Sequence, residues 1–257
     1  MTALITGASS GIGLELARIF AKNGAGVVLV ARHEEKLRAL AGELQAAGVA
    51  AHVVAADLSA PGAAAAVAVR VAELRVDVDA LVNNAGFGLY GPFLETRLDT
   101  ELAMIQLNIV ALTELTKRFL PQMAARRRGR ILNVASTAAF FPGPLMAVYY
   151  ATKAYVLSFS EAIANELEGT GVTVTALCPG PTASGFQAAA SLEDSKLVAG
   201  RTLPSARDVA QEGYDAMMAG KAVVVTGLSN KITVLAPRFM PRRALASVVR
   251  AAQERRR

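Results

Sequence analysis

Seven short runs rich in valine, isoleucine and leucine recur along the chain, and segments of helical length separate the first six of them. The runs are ALIT, GVVLVA, AHVVAA, DALVNN, RILNVAS, GVTVTALC and AVVVTG. Strands that are apolar throughout must be buried on both faces, which requires a parallel sheet with helices on both sides. The pattern therefore predicts a doubly wound α/β fold, a seven-stranded parallel sheet in a three-layer α/β/α arrangement with right-handed crossovers.

Length and composition fit one domain followed by a short extension. The chain has 257 residues, of which 53% are hydrophobic and 19% charged, so it can bury a substantial core. No linker rich in Ser, Gly and Pro separates two halves, and no repeat period appears. We expect a single α/β domain over residues 1–227 and a C-terminal extension over residues 228–257.

Positive charge is concentrated near the C-terminal end. The formal charge of the chain is +6, but from Lys221 onward nine Lys and Arg residues accompany a single acid, Glu254, and residues 1–220 carry a net charge of −2. The other basic run, RRRGR at 126–130, has no interleaved aromatic residues and no nucleic-acid reader motif beside it. We therefore expect no nucleic-acid partner.

The extension has amphipathic spacing that Pro237 and Pro241 must interrupt. Its simplest interpretation is a helix packed on the domain with a solvated basic end. The alternatives are a basic amphipathic element in peripheral contact with an anionic membrane, or a cover over a substrate cleft.

Other classes of protein lack support in the sequence. Cys178 is the single cysteine and only two histidines are present, so we expect neither an internal disulfide nor a metal site. No apolar run reaches the roughly 18 residues that a membrane-spanning helix needs. No basic residue precedes Arg18, as a secretory signal would require, so we expect a cytoplasmic protein.

The first strand is followed by TGASSGIG, which opens a predicted helix that runs to about Asn23. Gly7, Gly11 and Gly13 allow a sharp turn and let backbone N–H groups approach a pyrophosphate at the positive end of that helix. Ser9 and Ser10 add hydroxyl donors. The spacing is not G-x-G-x-x-G, but the turn lies where a doubly wound (Rossmann-type) sheet binds nucleotides, so we predict a nucleotide-binding turn.

After the second strand, Arg32 occupies the position where an acidic residue would bind a ribose hydroxyl. A guanidinium there favours a 2′-phosphate, and His33 could reach the same group. The alternative is a solvated residue in the first turn of a helix. The position predicts a preference for NADP(H) over NAD(H).

The stretch VYYATKAY places three tyrosines near one lysine. Tyr155 lies two residues after Lys153, on the opposite side of a helix, and is excluded. Tyr149 and Tyr150 lie four and three residues before the lysine, so spacing favours Tyr149 without eliminating Tyr150. A nearby ammonium stabilises a phenolate, which would make the tyrosine a usable acid or base for proton transfer to a carbonyl oxygen.

Taken together, these motifs resemble the short-chain dehydrogenases/reductases over residues 1–226. TGASSGIG is similar to the cofactor turn of that family, AADLS places Asp57 at its adenine contact, and NNAG matches the segment beside the cofactor ribose. YYATK matches the family's Tyr-x-x-x-Lys when Tyr149 is the tyrosine, and Ser136 then lies thirteen residues upstream, as the family's catalytic serine does.

The resemblance implies a role for each matched residue. Tyr149 would act as general acid and base, Ser136 would orient the substrate oxygen, Lys153 would lower the pKa of the tyrosine and hold the nicotinamide ribose, and Asn108 would help hold a relay water through its main chain. The residues that would bind the cofactor are Gly7, Ser9, Ser10, Gly11, Ile12, Gly13, Arg32, Asp57, Leu58, Asn83, Ala85, Gly86, Tyr149, Lys153, Pro179, Gly180, Thr182 and Ser184. Ser184 replaces the usual Thr, and Ser10 stands where many NADPH-using members carry a basic residue, so the cofactor preference depends mainly on Arg32.

The substrate is expected to be hydrophobic. Apolar residues cluster in the segments outside the motifs, which predicts an apolar cleft for a ketone, an aldehyde or a 3-oxoacyl-type compound. The candidates are Phe87, Leu89, Tyr90, Phe93, Phe140, Phe141, Leu145, Met146 and Phe186, together with the segment from Phe186 to about Pro204. The alternatives are a nucleotide-binding scaffold without turnover and an epimerase or lyase that uses the same tyrosine. The family commonly forms dimers or tetramers through helices that would begin near Asp99 and Tyr149.

The cofactor prediction is tested by Arg32→Asp. The substitution should raise the Michaelis constant for NADPH far more than that for NADH, because a carboxylate repels a 2′-phosphate and accepts a hydrogen bond from a ribose hydroxyl. Steady-state kinetics with both cofactors measure this. Equal changes in the two constants would remove the assignment.

Overall fold

Seven parallel strands form one sheet in the computed structural model, which describes residues 1–190, 195–196, 200 and 202–254. The strands are β1 (Thr2–Thr6), β2 (Gly26–Ala31), β3 (Ala51–Ala55), β4 (Ala80–Asn83), β5 (Gly129–Val134), β6 (Val172–Cys178) and β7 (Val223–Val225). Their order is β3-β2-β1-β4-β5-β6-β7, so the winding direction reverses between β1 and β4. The predicted seven-stranded, doubly wound parallel sheet is confirmed.

Helices cover both faces of the sheet. They are α1 (Gly11–Lys22), α2 (Glu34–Ala46), α3 (Ala63–Glu73), α4 (Leu98–Ile105), α5 (Leu112–Ala125), α6 (Ala147–Glu166), α7 (Phe186–Ala189), α8 (Ala206–Met218), α9 (Leu228–Thr233) and α10 (Arg242–Gln253). A π-helical turn (Gln106–Ala111) joins α4 to α5, and 3₁₀ turns occupy Thr137–Phe140 and Ala236–Arg238. None of these helices is both long enough and apolar enough to span a bilayer, within the described residues.

Successive side chains of β1 point to opposite faces of the sheet and contribute to two hydrophobic cores. Ala3 and Ile5 pack with side chains of α1, α2 and α8, whereas Leu4 packs with side chains of α3 and α5 on the opposite face. All three residues are fully buried. Because both faces need apolar side chains, the strand reads as a continuous apolar run, which is what made it visible in the sequence.

The extension folds into three short pieces, as its prolines require. Pro237 lies inside the 3₁₀ turn that follows α9, and Pro241 caps the N-terminus of α10. The Tyr90 hydroxyl donates to the Gln253 carbonyl at 3.1 Å, and Lys196 and Glu254 form an ion pair at 3.3 Å. The extension therefore packs on the domain, while residues 255–257 of the predicted extension lie outside the described residues.

A buried carboxylate ties the start of β1 to β4 and β5. Asp79 accepts hydrogen bonds from the Thr2 N–H at 3.0 Å and from the Arg128 guanidinium at 2.8 Å. Burial raises the pKa of Asp79, but the hydrogen bonds and the charge of Arg128 outweigh it, so the pKa of this carboxyl is lowered overall. The carboxylate form thus stabilises the folded chain.

Asp79→Asn should lower the free energy of unfolding at pH 7 by about 2 kcal/mol, the usual value of charge-assisted hydrogen bonds. Because the folded pKa lies below the unfolded value of about 3.9, this contribution is present above about pH 4 and is lost as the pH falls through the folded pKa. Urea unfolding at several pH values measures the difference. Asp77→Asn, which removes an exposed ion pair with Arg126, should change stability little at any pH, and an equal loss in both variants would contradict the assignment.

Candidate active site

A cavity of about 670 Å³ opens at the carboxyl ends of the strands, where the winding direction reverses. Loops that follow β1, β2, β3, β4, β5 and β6 surround it, as expected of a ligand site in a doubly wound sheet. It is lined by these predicted site residues: Gly7, Ser9, Ser10, Gly11, Ile12, Arg32, Asp57, Leu58, Ala85, Gly86, Ser136, Tyr149, Lys153, Pro179, Gly180, Thr182 and Ser184. Gly13, Asn83 and Asn108 do not line it.

The turn after β1 has the geometry of a phosphate cradle. Gly7 and Gly11 adopt positive φ angles of 68° and 55°, which side chains disfavour. Gly13 lies behind the turn, where an added Cβ would come within 2.4 Å of both the Gly7 carbonyl oxygen and the Asn84 side chain. Gly13 is therefore needed for close packing of α1 on the turn, and the N-terminus of α1 meets the cavity at Gly11 and Ile12. Backbone N–H groups at such a helix start suit a pyrophosphate.

Asn84 was missed as a site residue, although it belongs to the NNAG stretch. Its side-chain amide donates to the Thr6 carbonyl at 2.9 Å and to the Gly7 carbonyl at 3.3 Å, and it lines the cavity. Asn84 thus fastens the end of β4 to the cofactor turn. The doubled asparagine was the available signal, but sequence spacing does not tell which of two neighbours faces the ligand.

Asn83 was predicted to bind the cofactor, but it is not among the residues that line the cavity. Asn83 is the last residue of β4, its side chain is buried, and its amide donates to Thr116 at 3.0 Å and to Asn133 at 2.9 Å. Asn133 in turn donates to Ser160 at 2.9 Å. The Asn83 side chain therefore joins a polar network between the sheet and the helices α5 and α6, and has no contact with the cavity.

Basic side chains lie at the end of the cavity beyond β2. Arg32, His33 and Lys36 all line it, and Lys36 was not anticipated from the sequence. Asp57 accepts hydrogen bonds from the Ser59 N–H and hydroxyl at 2.9 and 2.6 Å. Burial raises the pKa of Asp57, but Ser59 and the charge of Arg32 lower it further, so this carboxyl is ionised at neutral pH.

The reactive centre is built on the first turns of α6. Tyr149 and Lys153 lie on one face of that helix, and the lysine ammonium is 5.8 Å from the centroid of the Tyr149 ring. Both side chains are more than nine-tenths buried yet line the cavity. Lys153 donates to the Val134 carbonyl at 2.8 Å, and burial lowers the pKa of its ammonium to about 8.

Burial, and not the charge of Lys153, has the largest effect on the pKa of the Tyr149 phenol. Burial raises the pKa of Tyr149 well above 10, and the neighbouring Ser136 hydroxyl offsets this only in part. Lys153, which was expected to lower this pKa, is not among the groups that shift it. Tyr149 is therefore protonated at neutral pH, the form that can donate a proton to a carbonyl oxygen.

Ser136 lies opposite Tyr149 at the end of β5. Its hydroxyl accepts a hydrogen bond from the Ala138 N–H at 3.1 Å and donates to the Pro179 carbonyl at 3.3 Å. These contacts hold the side chain between the loops that follow β5 and β6. The three side chains that the sequence grouped, Ser136, Tyr149 and Lys153, converge on one wall of the cavity.

Asn108 lies behind this wall, inside the π-helical turn. Its side chain accepts from the Phe87 N–H at 3.2 Å and donates to the Phe87 carbonyl and the Thr152 hydroxyl, both at 3.0 Å. Asn108 therefore fixes the chain after Gly86 against α6. Its predicted part in holding a water through the main chain stays a prediction.

Tyr150 and Tyr155 differ in their surroundings. Tyr150 lines the cavity, and its ring packs against Gly143 so closely that an added Cβ would lie 2.1 Å from it. Burial, offset in part by the nearby Gln253 amide, raises the pKa of Tyr150 to about 12. Tyr155 is on the exposed side of α6, away from the buried Lys153, as its spacing predicted. Its hydroxyl shares a hydrogen bond of 2.9 Å with Thr113.

The apolar end of the cavity differs in part from the expected cleft. Phe87, Phe141, Met146 and Phe186 line it as predicted. The other candidates lie elsewhere: Phe93 is exposed, Phe140 packs with α6 and β7 residues, Leu145 does not reach the cavity, and Leu89 and Tyr90 border a smaller separate pocket. Much of the predicted segment from Phe186 to Pro204, namely residues 191–194, 197–199 and 201, lies outside the described residues.

The C-terminal extension forms one wall of the cavity, which the sequence analysis had offered only as an alternative. Side chains from α9, the following 3₁₀ turn and α10 line the cavity: Asn230, Thr233, Ala236, Met240, Leu245, Val248, Val249 and Ala252. Most of them are apolar. This geometry supports the interpretation of the extension as a cover over the cleft. No group of three His, Cys, Asp or Glu side chains that could hold a metal occurs in the described part of the chain.

The chain is similar to known proteins over most of its length. A sequence model described as short chain dehydrogenase matches residues 1–195. A short chain dehydrogenase from Pseudocercospora fijiensis is 38% identical over 185 residues, which cover 71% of this chain but only 60% of that relative. The chain thus spans less than two thirds of this relative's length.

Two solved structures extend the likeness to the C-terminal extension. A short-chain dehydrogenase from Sphingobium yanoikuyae in complex with NADPH is 33% identical, covers 98% of both chains and has a TM-score of 0.81. A bulky-bulky ketone specific alcohol dehydrogenase from Comamonas testosteroni is 30% identical, covers 98% of this chain and 96% of its own, and has a TM-score of 0.79. Both alignments reach beyond the residues matched by sequence alone.

Gly13→Ala tests the phosphate cradle. The added methyl group meets the Gly7 carbonyl and Asn84, so the turn must shift and the affinity for NADPH should fall by roughly tenfold or more, as a loss of about 1.4 kcal/mol implies. Fluorescence titration with NADPH measures this. Gly42→Ala is the matched control, because that helical glycine has no atom within 4 Å of an added Cβ and should gain stability with unchanged affinity. Equal affinities in both variants would contradict the cradle.

Proposed function

The chain belongs to the short-chain dehydrogenase/reductase family, and we propose that it reduces the carbonyl group of a bulky hydrophobic ketone with NADPH, or oxidises the matching alcohol. The observation that carries this proposal is the convergence of Ser136, Tyr149 and Lys153 on a cavity that also contains a phosphate cradle and an apolar wall. A nucleotide fits the first part of this cavity and a hydrophobic substrate fits the second.

The proposed chemistry uses each side chain for one task. A ketone oxygen placed between Ser136 and Tyr149 accepts a hydrogen bond from the serine and a proton from the phenol. NADPH, held by the cofactor turn and Lys153, would supply a hydride for the carbonyl carbon. Lys153 holds the cofactor ribose, and its positive charge stabilises the phenolate that proton donation leaves behind. In the reverse direction the phenolate accepts the proton of the alcohol.

NADPH is proposed over NADH because of the charges beyond β2. Arg32 and Lys36 line the cavity at that end, and two cations suit a 2′-phosphate better than a bare ribose hydroxyl. The similar structure from Sphingobium yanoikuyae holds NADPH, which supports the same preference.

A bulky substrate is proposed because the extension closes the apolar end of the cavity. The wall formed by α10 consists of Leu245, Val248, Val249 and Ala252, which offer contact area and no charge. The solved structure of a bulky-bulky ketone specific alcohol dehydrogenase shares this part of the chain. A 3-oxoacyl-type compound is the alternative that the same apolar wall would accept.

We also propose a homo-oligomer that forms through the outer surfaces of α4, α6 and the π-helical turn. Leu102, Val110 and Tyr155 are large and more than one third exposed there, as at many subunit contacts. Members of this family are commonly oligomeric.

Tyr149→Phe tests the proposed acid. Removal of the phenol should lower kcat by about 10²–10⁴-fold, the usual contribution of a general acid, while NADPH affinity stays within a few fold. Loss of reduced nicotinamide absorbance with a panel of hydrophobic ketones gives kcat. Tyr150→Phe is the matched control and should retain most of the activity. If wild type and Tyr149→Phe both bind NADPH without turnover of any ketone, the chain is a nucleotide-binding scaffold and the proposal fails.

Ala252→Phe tests the wall formed by α10. A larger side chain there takes space from the substrate, so kcat/KM for a bulky diaryl ketone should fall by roughly tenfold or more relative to that for a small ketone. Ala251→Phe, on the exposed side of the same helix, should leave the ratio of the two kcat/KM values unchanged. A uniform loss for both ketones in Ala252→Phe would show that α10 does not select the substrate.

A further inference from the structure

The outer face of the extension carries an exposed apolar stripe. Leu228, Ile232, Leu235 and Phe239 recur at intervals of four, three and four residues, and 75, 65, 44 and 82% of their surfaces are accessible. We call these four residues the outer stripe. So much neighbouring apolar surface on a small element is typical of a binding surface.

The opposite face of the same segment borders the substrate cavity. Asn230, Thr233, Ala236 and Met240 line it, each one or two residues after a member of the outer stripe. The segment therefore separates the apolar cavity from the surroundings by the thickness of one helix. Whatever covers the outer stripe lies next to the cavity.

Unpaired positive charge accompanies the outer stripe. Lys231, Arg238 and Arg243 are exposed, and none of them takes part in an ion pair within the described residues. No acidic residue occurs between Asp215 and Glu254, and Glu254 is paired with Lys196. The surface beside the stripe is thus basic without local compensation, and a negatively charged occupant complements it.

We propose that the outer stripe docks on the surface of an anionic lipid bilayer. Its apolar side chains enter the headgroup region while the neighbouring cations meet lipid phosphates, as in other basic amphipathic elements. A second copy of the chain is a poorer occupant, because a two-fold contact would bring the same cations face to face. Docking would place the cavity beside the membrane in which a bulky hydrophobic ketone concentrates; this last step rests on the proposed function, whereas docking does not.

Vesicle sedimentation tests the docking surface on the full chain with NADPH bound. The wild type should sediment with vesicles of phosphatidylcholine and phosphatidylserine and remain in solution with phosphatidylcholine alone. Ile232→Ser/Phe239→Ser should lower the partition coefficient by roughly tenfold or more, because two exposed apolar side chains lose their contact with lipid. Lys231→Glu should weaken binding, and added salt should do the same.

Matched variants separate docking from misfolding and from activity. Val69→Ser and Lys117→Glu change an exposed valine and an exposed lysine elsewhere, and both should bind vesicles as the wild type does. Circular dichroism and NADPH titration confirm that each variant is folded, independently of any ketone reduction. No sedimentation with anionic vesicles, or sedimentation that Ile232→Ser/Phe239→Ser leaves unchanged, overturns the proposal. The outer stripe would instead be assigned to a contact with a second copy of the chain if the wild type did not bind vesicles and Ile232→Ser/Phe239→Ser gave a smaller particle than the wild type in light scattering.

Discussion

Burial of the central strands on both faces is the constraint from which the site follows. Because β1, β4 and β5 are covered by helices on both sides, the strands are mostly apolar, and the glycine turn and most of the polar groups that line the cavity lie in the loops at the strand ends. The reversal of strand order between β1 and β4 separates these loops and leaves a cleft at the carboxyl edge. The glycine turn and the start of α6 meet at this cleft, so the proposed nucleotide site and the proposed proton donor share one cavity.

Tyr149 and Lys153, the proposed catalytic pair, are buried in surroundings that disfavour the charged form of each side chain. Burial raises the pKa of Tyr149 and lowers that of Lys153 to about 8. A neutral phenol is suited to donate a proton, and the buried Lys153 ammonium lies 5.8 Å from the centroid of its ring. Polar contacts from Ser136 and Asn108 hold the surrounding backbone in place.

Sequence reasoning succeeded where one local pattern determines one position. The seven strands were visible because they are rich in apolar residues. Helical spacing and the motif separation of the resembled family grouped Tyr149, Lys153 and Ser136, and the structure has all three in the lining of one cavity. Sequence reasoning failed where two adjacent residues have the same chemistry, and where segments far apart in the sequence pack together. Asn83 and Asn84 are adjacent with identical chemistry, and only the sheet decides that Asn84 faces the cofactor turn. The wall that α10 adds to the cavity depends on long-range packing, since Tyr90 and Gln253 are 163 residues apart.

The central claim is that a ketone is reduced between Tyr149, Ser136 and the wall of α10, and a crystal structure of the full chain with NADP⁺ and a bulky ketone tests it most directly. That combination cannot react, so the complex is stable. The pyrophosphate is expected against the turn from Gly7 to Gly13, the ketone oxygen within hydrogen-bond distance of both hydroxyls, and the remainder of the ketone against α10. A ketone oxygen remote from both hydroxyls, or a nucleotide bound outside this cavity, would contradict the account.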